Sequence, residues 1–391
     1  MELNKTYKVG PRTNIMELMK LFLKNEVVDS VVWFTIKKKE KKPLSLSPVE
    51  VTDPDELKDD LLGLYSLFNF SRMDTTANFV RDELNGAKDK KVAVIAKPCD
   101  VRAFIELQKV RQVNLNNLLI LSLECPETID TGKLKKLLKK KKIDPVELTN
   151  ICRPTMNSIM IELGSDEKTI EMEDDLIYIN CTRCPRKIDM NADINIGERE
   201  KGIWAIHIVS EKGKEAVDKV PTDGIISEPI DTENELINKL IDISQKKRTA
   251  DFEKLDEMSR EERFKLFYDT FSKCRKCGSC IRACPVCFCK DCDVQRKRKE
   301  DIKRKKAGIE DWETFDNILY ILTKMGHMCD TCIECGKCSQ VCPVNIPSAN
   351  TYRYINDKIQ KKYDYVAGRN VDETSPRSGN EIKKLLAVLE K

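Results

Sequence analysis

The sequence lacks the features that would place it in a membrane or outside the cell. No apolar run approaches the ~18 residues that a membrane-spanning helix needs. The opening residues, MELNKTYKVG, contain no apolar core of a signal peptide. We therefore expect a cytoplasmic protein without a membrane span. In the reducing cytosol, grouped cysteines serve more often as metal ligands than as disulfide partners.

Histidine and net charge are also scarce. The chain of 391 residues contains 2 His, which leaves few ligands for mixed Cys/His zinc sites. Its 69 Lys and Arg nearly balance 65 Asp and Glu, and a net charge of +4 is too small to indicate a nucleic-acid partner by itself. The Lys-rich runs at 37–42 and 133–142 are interpreted as solvated faces and loops. No GxGxxG fingerprint of dinucleotide binding is present.

Cysteine, in contrast, is abundant, with 17 residues, and two dense runs share one spacing. The first run reads Cys274-x2-Cys277-x2-Cys280-x3-Cys284-Pro285, and the second reads Cys332-x2-Cys335-x2-Cys338-x3-Cys342-Pro343. Both match the bacterial ferredoxin pattern, in which three closely spaced thiolates hold one 4Fe-4S cube and the fourth ligates the other cube. Gly278 and Gly336 follow the second ligand of each run, where the backbone must approach the cluster closely.

The pattern predicts two clusters with crossed ligation. One cluster takes Cys274, Cys277, Cys280 and Cys342, and the other takes Cys332, Cys335, Cys338 and Cys284. The alternative is a pair of zinc sites, but the doubled Cys-Pro pattern and the shortage of His favour iron–sulfur clusters. Four further cysteines in this half exceed what two cubes require: Cys287, Cys289, Cys292 and Cys329. They are either packing thiols, the preferred interpretation, or the ligands of a further metal site.

The length predicts two or three domains. Five apolar segments read as buried strands: 27–36, 91–100, 117–126, 175–185 and 202–210. Helix-like stretches lie between them, which predicts an α/β domain with a mixed sheet over residues 1–250. A mainly helical, dicluster-ferredoxin-like domain is expected over 251–352, followed by a polar C-terminal tail at 353–391.

Further cysteines follow three of the predicted strands. Cys99 lies in AKPCD, Cys125 in LECP, and Cys181 with Cys184 in NCTRCP. Because ligands gather at the carboxyl edge of such sheets, these thiols are expected to converge. They form a third cluster, a zinc site or an unrelated group of thiols. Cys152 is left without a predicted role.

The order of these motifs resembles a known family. AKPCD, LECP, NCTRCP, CRKCGSCIRACPVCFCKDC and CIECGKCSQVCPVNIP, over residues 85 to 350, look like the beta subunits of coenzyme F420 (deazaflavin) hydrogenases and dehydrogenases. The resemblance is strongest to the formate dehydrogenase beta subunit with two C-terminal ferredoxin clusters. It implies a 4Fe-4S cluster on Cys99, Cys125, Cys181 and Cys184, with FAD beside it.

The resemblance also implies a function. Electrons would pass from a hydride carrier of the F420 type through FAD and three clusters to a catalytic partner, or in reverse. The partner would be a formate dehydrogenase alpha subunit, a hydrogenase or a heterodisulfide-reductase-like protein of an anaerobic organism. The chain would then be an oxidoreductase subunit that lacks activity alone. An electron relay without a flavin site is the alternative, and a zinc-binding scaffold or nucleic-acid-binding protein is a remote one.

The sequence departs from the family where the hydride carrier would bind. Family members open with a glycine-rich segment containing Cys-Gly-Gly, which is absent here, and the turn after the Cys-x2-Cys pair is reduced to ADINIGEREKG. The candidate cofactor contacts are Lys97, Asp100, Arg102, Arg183, Asp193 and Gly197. Asp74, Thr75, Thr76 and Asn78 form either a phosphate-contacting helix start or an ordinary helix cap. The basic segment 296–306 is interpreted as an exposed loop or helix, with a docking patch for an acidic partner as the alternative.

Overall fold

A computed structural model describes residues 1–36, 44, 46–58, 60–68, 70, 74–173, 175–231, 233–289, 291–308 and 317–376. The Lys-rich run 37–42 and the end of the predicted tail, from residue 377, lie outside the described residues. Within them, no helix combines the length and apolar character needed to cross a bilayer.

The N-terminal part is an α/β domain, as predicted. Its elements are β1 Thr6–Gly10, α1 Thr13–Lys24, β2 Ser30–Ile36, β3 Leu46–Val51, α2 Leu62–Leu67, α3 Thr76–Glu83, β4 Val92–Ala96, α4 Pro98–Lys109, β5 Leu118–Leu123, α5 Thr131–Lys140, β6 Leu148–Cys152, β7 Ser158–Leu163, β8 Asp166–Glu171, β9 Ile194–Glu200, β10 Ile203–Ile208, α6 Glu211–Asp218 and β11 Pro229–Ile230. The main sheet has eight strands in the order β11-β1-β10-β9-β5-β4-β2-β3. A separate antiparallel sheet contains β6, β7 and β8.

The centre of the main sheet is parallel and its flanks are antiparallel. β2, β4, β5 and β9 run parallel to one another, whereas β3 and β10 pair antiparallel with their neighbours. Every residue of β4 and β5 is buried, which explains why both sequences are nearly continuous apolar runs. Alternate residues of these strands face two different cores, because side chains in a strand alternate between the faces of the sheet.

The C-terminal part is helical and packs on one face of the sheet. Its helices are α7 Glu235–Glu257, α8 Arg260–Phe271, α9 Ser279–Arg282, α10 Asp293–Lys306, α11 Asn317–Met328, α12 Lys337–Gln340 and α13 Ser348–Tyr363. A core around Phe271, Tyr320 and Tyr352 holds the helices from α8 to α13 together. Val286, Ile333 and Tyr365 instead join the core on the α3 and α4 side of the sheet. The predicted domain borders at 250/251 and 352/353 fall inside α7 and α13.

The prediction of a strand over 175–185 is wrong. This segment makes an isolated bridge between Ile177 and Ile129 and then a short 3-10 helix at Cys181–Arg183. Its backbone pairs with the loop after β5, where the Tyr178 N–H donates to the Thr128 carbonyl at 3.0 Å. These hydrogen bonds satisfy the backbone outside the main sheet, so the apolar run does not become a ninth strand.

Candidate metal-cluster and cofactor sites

The two cysteine runs adopt the same local backbone. Gly278 and Gly336 both have a φ of 75°, a left-handed conformation that glycine adopts without steric cost. The residues two positions earlier, Lys276 and Glu334, also have positive φ, at 49° and 60°. Each loop then enters a short helix, α9 or α12, and these helices pack against each other. The duplicated sequence therefore folds into a duplicated structure.

Two hollows lie beside these loops. One is lined by Cys274, Cys277, Cys280 and Cys342, together with Tyr320 and Ile346. The other is lined by Cys284, Cys332, Cys335 and Cys338, together with Lys324 and Tyr352. The structure thus brings together the same two sets of four cysteines that crossed ligation assigns. Cys338 lines both hollows, which places them side by side.

The surroundings of the hollows suit clusters that carry negative charge. Backbone N–H groups donate to thiol sulfurs, from Lys276 to Cys274 at 3.4 Å and from Ile346 to Cys342 at 3.3 Å. Buried Lys324 donates to the Cys280 carbonyl at 3.1 Å and lines the second hollow. Hydrogen bonds and cations of this kind stabilise thiolate-bound iron–sulfur clusters and tune their potentials. In the described part of the chain, no three Cys, His, Asp or Glu side chains converge closely enough for a single metal ion.

A third group of thiols lies at the carboxyl edge of the main sheet. Cys99 begins α4 directly after β4, and Cys125 follows β5, the parallel neighbour of β4. The Cys125 N–H donates to the Lys187 carbonyl at 2.8 Å, which ties the loop carrying Cys181 and Cys184 to this edge. Burial, together with the charge of Cys125, raises the pKa of Cys181 to about 11. These contacts place the thiols near one edge of the sheet, with the Cys181–Cys184 pair on a 3-10 turn rather than at the end of a strand. Their ligation of one cluster stays a prediction.

Buried cations surround this third group. Lys187 is 1% exposed and donates to Glu127 at 3.0 Å and to the Cys181 carbonyl at 2.8 Å. Arg102 is 3% exposed, and none of its three guanidinium nitrogens has a hydrogen-bond partner within the described residues. Burial would raise the pKa of Cys184, but Lys187, Arg102 and Arg353 together lower it. An anionic group among these thiols would supply the missing partner, because a buried charge is stable only when it is paired.

The third group adjoins the second hollow. Cys99 and Cys335 line one small cavity together with Asp100, Pro285 and Lys337. Asn180, next to Cys181, donates to the Cys335 carbonyl at 3.2 Å. A side chain at Gly336 would collide with Asn180, so glycine is needed there for this approach as well as for its backbone conformation. The three groups of four cysteines therefore form a series, with the set containing Cys335 in the middle.

The predicted cofactor contacts occupy several different environments. Lys97 is buried and donates to the Phe68 carbonyl at 2.9 Å and to Thr128 at 3.2 Å. Asp100 accepts the Ala77 N–H at 3.2 Å at the start of α3. Thr75 caps the same helix by accepting from Asn78 at 3.0 Å, and Thr76 contacts Tyr65. Asp74 lines the small cavity beside Cys99.

The remaining candidates are dispersed. Arg183 pairs with Asp251 of α7 at 2.9 Å. Asp193 accepts the Ile120 N–H at 2.8 Å and the Ser210 hydroxyl at 2.6 Å, contacts that fasten β5 to the residues around β9 and β10. Their observed contacts are structural, and their cofactor roles remain predictions. Gly197 lies elsewhere, in the wall of a large cavity.

That cavity has a volume of about 700 Å³ and begins beside Cys125, whose neighbours Glu124 and Pro126 line it. Its wall joins β9, β10, the loop after β6 and the start of α7, with Trp204 as an aromatic surface. Five cationic and five anionic side chains line it: Arg12, Arg153, Arg199, Lys201 and Lys239, with Glu124, Glu198, Glu200, Glu233 and Glu235. Sequence reasoning named none of the five cations as a cofactor contact, although Arg199 and Lys201 lie in the ADINIGEREKG segment; Arg12, Arg153 and Lys239 come from separate segments without a shared motif.

Two buried ion pairs shape this cavity. Arg199 makes a two-pronged contact with Glu124, at 2.6 and 2.7 Å, and Arg153 donates to Glu127 at 2.7 Å. The Nε atoms of both arginines are buried without a hydrogen-bond partner in the described structure. A side chain at Gly197 would collide with Glu124, so this glycine makes room for the pair. Cys152 also lines the cavity. Burial, together with the charges of Glu198 and Glu162, raises its pKa to about 12.

Three of the additional cysteines of the C-terminal part, Cys287, Cys292 and Cys329, lie in or beside the helical core around Phe271, Tyr320 and Tyr352. Cys329 is buried among Phe271, Tyr320 and Tyr352, a packing position. The pKa of Cys287 is raised to about 11. Burial is the largest cause, and the charges of Cys289 and Cys292 contribute to the same rise. Cys289 is exposed. A packing role therefore describes Cys329 best.

Comparison with known proteins identifies both parts of the chain. Residues 89–233 match the model for the C-terminal region of the coenzyme F420 hydrogenase/dehydrogenase beta subunit, and residues 270–346 match a 4Fe-4S dicluster domain. The F420-dependent formate dehydrogenase subunit beta of Methanocaldococcus jannaschii is 27% identical over 93% of this chain and 92% of that protein. The F420-dependent formate dehydrogenase 1 subunit beta of Methanococcus maripaludis is 29% identical over 74% of this chain and 75% of that protein.

A solved structure shares the fold. It is described as a xenon derivative of the F420-reducing [NiFe] hydrogenase complex from Methanosarcina barkeri, and the matching chain is 15% identical with a TM-score of 0.52. The match covers 66% of this chain and 95% of that one. The resemblance seen in the sequence is thereby confirmed. The chain thus contains a region like the C-terminal part of the coenzyme F420 hydrogenase/dehydrogenase beta subunit and a 4Fe-4S dicluster domain, and it is similar over most of its length to F420-dependent formate dehydrogenase beta subunits.

Proposed function

We propose that this chain is the electron-transferring beta subunit of an F420-dependent formate dehydrogenase or hydrogenase complex. It would exchange electrons with coenzyme F420 at FAD and with its catalytic partner through three 4Fe-4S clusters. The observation that carries the proposal is the series of three four-cysteine groups, with the 700 Å³ cavity beside Cys125 at one end. The cytoplasmic location and the anaerobic setting belong to the same proposal.

The cavity fits a flavin in size and chemistry. Arg12, Arg153 and Arg199 would hold the pyrophosphate, because guanidinium groups match phosphate oxygens with paired N–H donors. Trp204 would provide a flat apolar surface for a ring. Bound FAD supplies the conversion between hydride transfer and single-electron transfer.

The chain's own residues would prepare the path for single electrons. Glu124 orients Arg199 in the cavity wall, and Cys125 lies on the other side of the same short loop. Arg102 and Lys187 would stabilise the negative charge of the thiolate-bound cluster at the sheet edge. Asn180 and Gly336 keep that site close to the middle group of cysteines. The formate or hydrogen chemistry would take place in the partner protein, so we expect little activity from the chain alone.

A relay without flavin is the second candidate. The missing Cys-Gly-Gly segment favours it, since that segment accompanies the hydride carrier in the family. In this form the chain would pass electrons between a formate dehydrogenase or hydrogenase and a heterodisulfide-reductase-like flavoprotein. The large cavity, with its arginine donors and Trp204, favours the flavin-containing form.

The deciding experiment is the iron, acid-labile sulfide, zinc and flavin content of the chain purified without oxygen. About twelve iron per chain with one FAD would support the full proposal, since three cubes of four irons are expected. About eight iron and no flavin would leave the relay and overturn the third cluster. Zinc with little iron would overturn both the full proposal and the relay. It would support the zinc-binding scaffold instead. An Arg153→Met, Arg199→Met double variant should lose flavin but keep its iron, whereas Lys133→Met with Lys140→Met provides a charge-matched control outside the cavity.

A further inference from the structure

The helix α10 concentrates the positive charge of the protein. Asp293–Lys306 contains eight Lys or Arg residues and three Asp or Glu residues, a net charge of +5. The whole chain carries +4, so the remainder has a net charge of about −1. Lys299, Lys303 and Lys306 are exposed and lie four and three residues apart, which places them on one face of the helix. A helix that has a net charge of +5 and a row of exposed lysines on one face is a candidate electrostatic docking surface.

The helix lies directly over the cysteine loop of the first hollow. Arg298 covers Gly278, because a Cβ added to that glycine would be 3.1 Å from the Nε atom of Arg298. Another guanidinium nitrogen of Arg298 lies 3.5 Å from the Cys277 carbonyl. Lys276 of the same loop pairs with Asp301 of the helix at 3.8 Å. On its inner face, Val294 is buried in the core that also packs against Cys274 and Cys280. The charged helix therefore marks the end of the cysteine series that is opposite to the large cavity.

The helices beside α10 expose apolar side chains. α10 contacts α11, and α11 contacts α8. Leu319 and Leu322 of α11 are 51% and 48% exposed, and Phe264 of α8 is 63% exposed. Interfaces commonly combine apolar and aromatic contacts with a charged, solvent-accessible rim. The exposed faces of α8, α10 and α11 provide both components close to the cysteine loop of the first hollow.

We propose that these three helices dock an acidic electron-transfer protein that carries its own iron–sulfur cluster. This inference rests on the proposed function, because it assigns the partner of the outermost cluster. One electron would pass between the cluster on Cys274, Cys277, Cys280 and Cys342 and the partner's cluster, with no bond made or broken. An acidic partner matches the net charge of +5 on α10, and the short path from the helix to the cysteine loop explains its position.

The test reverses the charge of the exposed face. The variant carries Lys299→Glu, Lys303→Glu and Lys306→Glu, and none of these residues is among the predicted cluster ligands. The matched control carries Lys135→Glu, Lys136→Glu and Lys139→Glu in α5, another exposed Lys-rich helix. α5 buries its leucines in the core on the other face of the sheet, away from the dicluster module.

The probe is a small acidic ferredoxin with two 4Fe-4S clusters. Stopped-flow oxidation of the reduced chain by this ferredoxin should slow about tenfold or more in the α10 variant at low salt. The wild-type rate should fall as salt rises, and the α10 variant should lose most of this dependence. The α5 control should stay close to wild type. Equal slowing of both variants would overturn the proposal, as would competition by duplex DNA as strong as that by unlabelled ferredoxin.

Binding to immobilised ferredoxin provides a readout that needs no electron transfer. Weaker binding of the α10 variant than of the control supports the docking surface even if the chain contains no flavin. Equal binding of the two variants, with iron content and cluster reduction intact, overturns the docking surface and leaves the proposed function standing. The two proposals can therefore fail separately.

Discussion

The guanidinium group of Arg102 shows how a single residue can report on a neighbouring site. It is buried beside Cys99 and Cys184, and its nitrogens have no hydrogen-bond partner among the described residues. Gly368 packs against its Cα and Cβ atoms and helps to close this site from the other side. Burying a charge without a partner is costly, so the residue implies an anion at this position. The thiolate-bound cluster of the proposal would supply this anion, because Arg102 lies next to the thiols.

Arg102→Gln should lower the midpoint potential of the cluster at the sheet edge. Reduction makes a cluster more negative, and loss of a nearby buried cation makes that step less favourable. We expect a decrease on the order of 50 mV, which corresponds to about 1 kcal/mol for one electron. Redox titration followed by electron paramagnetic resonance measures it. Arg183→Gln is the control, because Arg183 is already paired with Asp251; equal shifts in both variants would contradict the assignment.

Glu334 has a different role in the second cysteine run. Its carboxylate is buried and accepts hydrogen bonds from Arg248 of α7 and Asn356 of α13. Burial alone would raise its pKa, but the contacts with Arg248 and its other cationic neighbours lower it to about 2. The positive φ of 60° at this residue turns the side chain to a position where both helices reach it. One carboxylate thereby links the cysteine loop to two helices.

Glu334→Gln should destabilise the protein by roughly 3 kcal/mol at neutral pH, since it removes the main counter-charge of buried Arg248, which keeps only the longer contact with Asp357 at 3.4 Å. A lowered pKa means that the ionised carboxylate stabilises the fold. This contribution is complete above the ordinary value of 4.5 and is lost as the pH falls through about 2. Thermal unfolding measured at neutral pH and at decreasing pH should show a lower midpoint and a flatter acid dependence in the variant. An unchanged midpoint would refute the structural role, and Glu253→Gln on an exposed part of α7 is the control.

Among the elements, α8 shows how local sequence defines a helix that has few buried residues. Only Phe271 of this helix is buried. Its start instead has a reciprocal capping box, in which Ser259 accepts the Glu262 N–H at 3.1 Å and Glu262 accepts the Ser259 N–H at 2.7 Å. Such a box satisfies two backbone donors that a helix start leaves unpaired. The helix is needed for the proposed docking surface, so its cap has consequences beyond local stability.

Ser259→Ala should loosen the first turn of α8. Loss of an N-cap side chain costs about 1 kcal/mol, which corresponds to roughly fivefold faster local opening. Hydrogen–deuterium exchange of peptides covering 259–271 measures this change. Ser259→Asp retains a capping oxygen and should exchange close to the wild-type rate. If both variants exchange equally fast, the cap does not hold this turn.

Across the molecule as a whole, the segment after α13 fastens the two parts of the chain together. Tyr365 donates to Glu106 of α4 at 2.8 Å, and the Gly368 N–H donates to the same carboxylate at 2.7 Å. Tyr365 is also buried in the core shared by α4 and Val286. Residues 365–368 thus pack on the N-terminal domain, whereas the sequence predicted a polar tail from 353. The remainder of that tail, from 377, lies outside the described residues.

Gly368→Ala should release this segment. Gly368 has a φ of 73°, and an added Cβ would be 2.4 Å from the Cβ of Arg102, so neither the backbone nor the neighbour accepts a side chain. We expect faster proteolysis after α13 and faster exchange in residues 364–376. Gly164→Ala is the matched control, because its φ of 64° carries the same strain but its surroundings are open. If the two variants are equally susceptible to protease, the collision with Arg102 is not what holds the segment.

The resemblance to F420-dependent beta subunits, the fold class and the grouping of the dicluster cysteines follow from the order of the amino acids alone. These features are readable because a cube is held by ligands a few residues apart, and a tight loop needs the same spacing and glycine wherever it occurs. The buried strands β4 and β5 were equally clear, since both are continuous apolar runs. The segment 175–185 also contains a short apolar run, but its backbone pairs with a loop, and this pairing depends on residues that are distant in sequence.

The arrangement of the sites, in contrast, depends on the packing of the folded chain. The parallel register of β4 and β5 brings Cys99 beside Cys125, and Asn180 brings their site to Cys335. The large cavity gathers its arginines from segments that are well separated along the chain. No local sequence pattern predicts that these residues come together, because their proximity results from the packing of elements that are remote in sequence. The cysteines reveal their chemistry through spacing, whereas the order of the sites and the shape of the cavity follow from the fold.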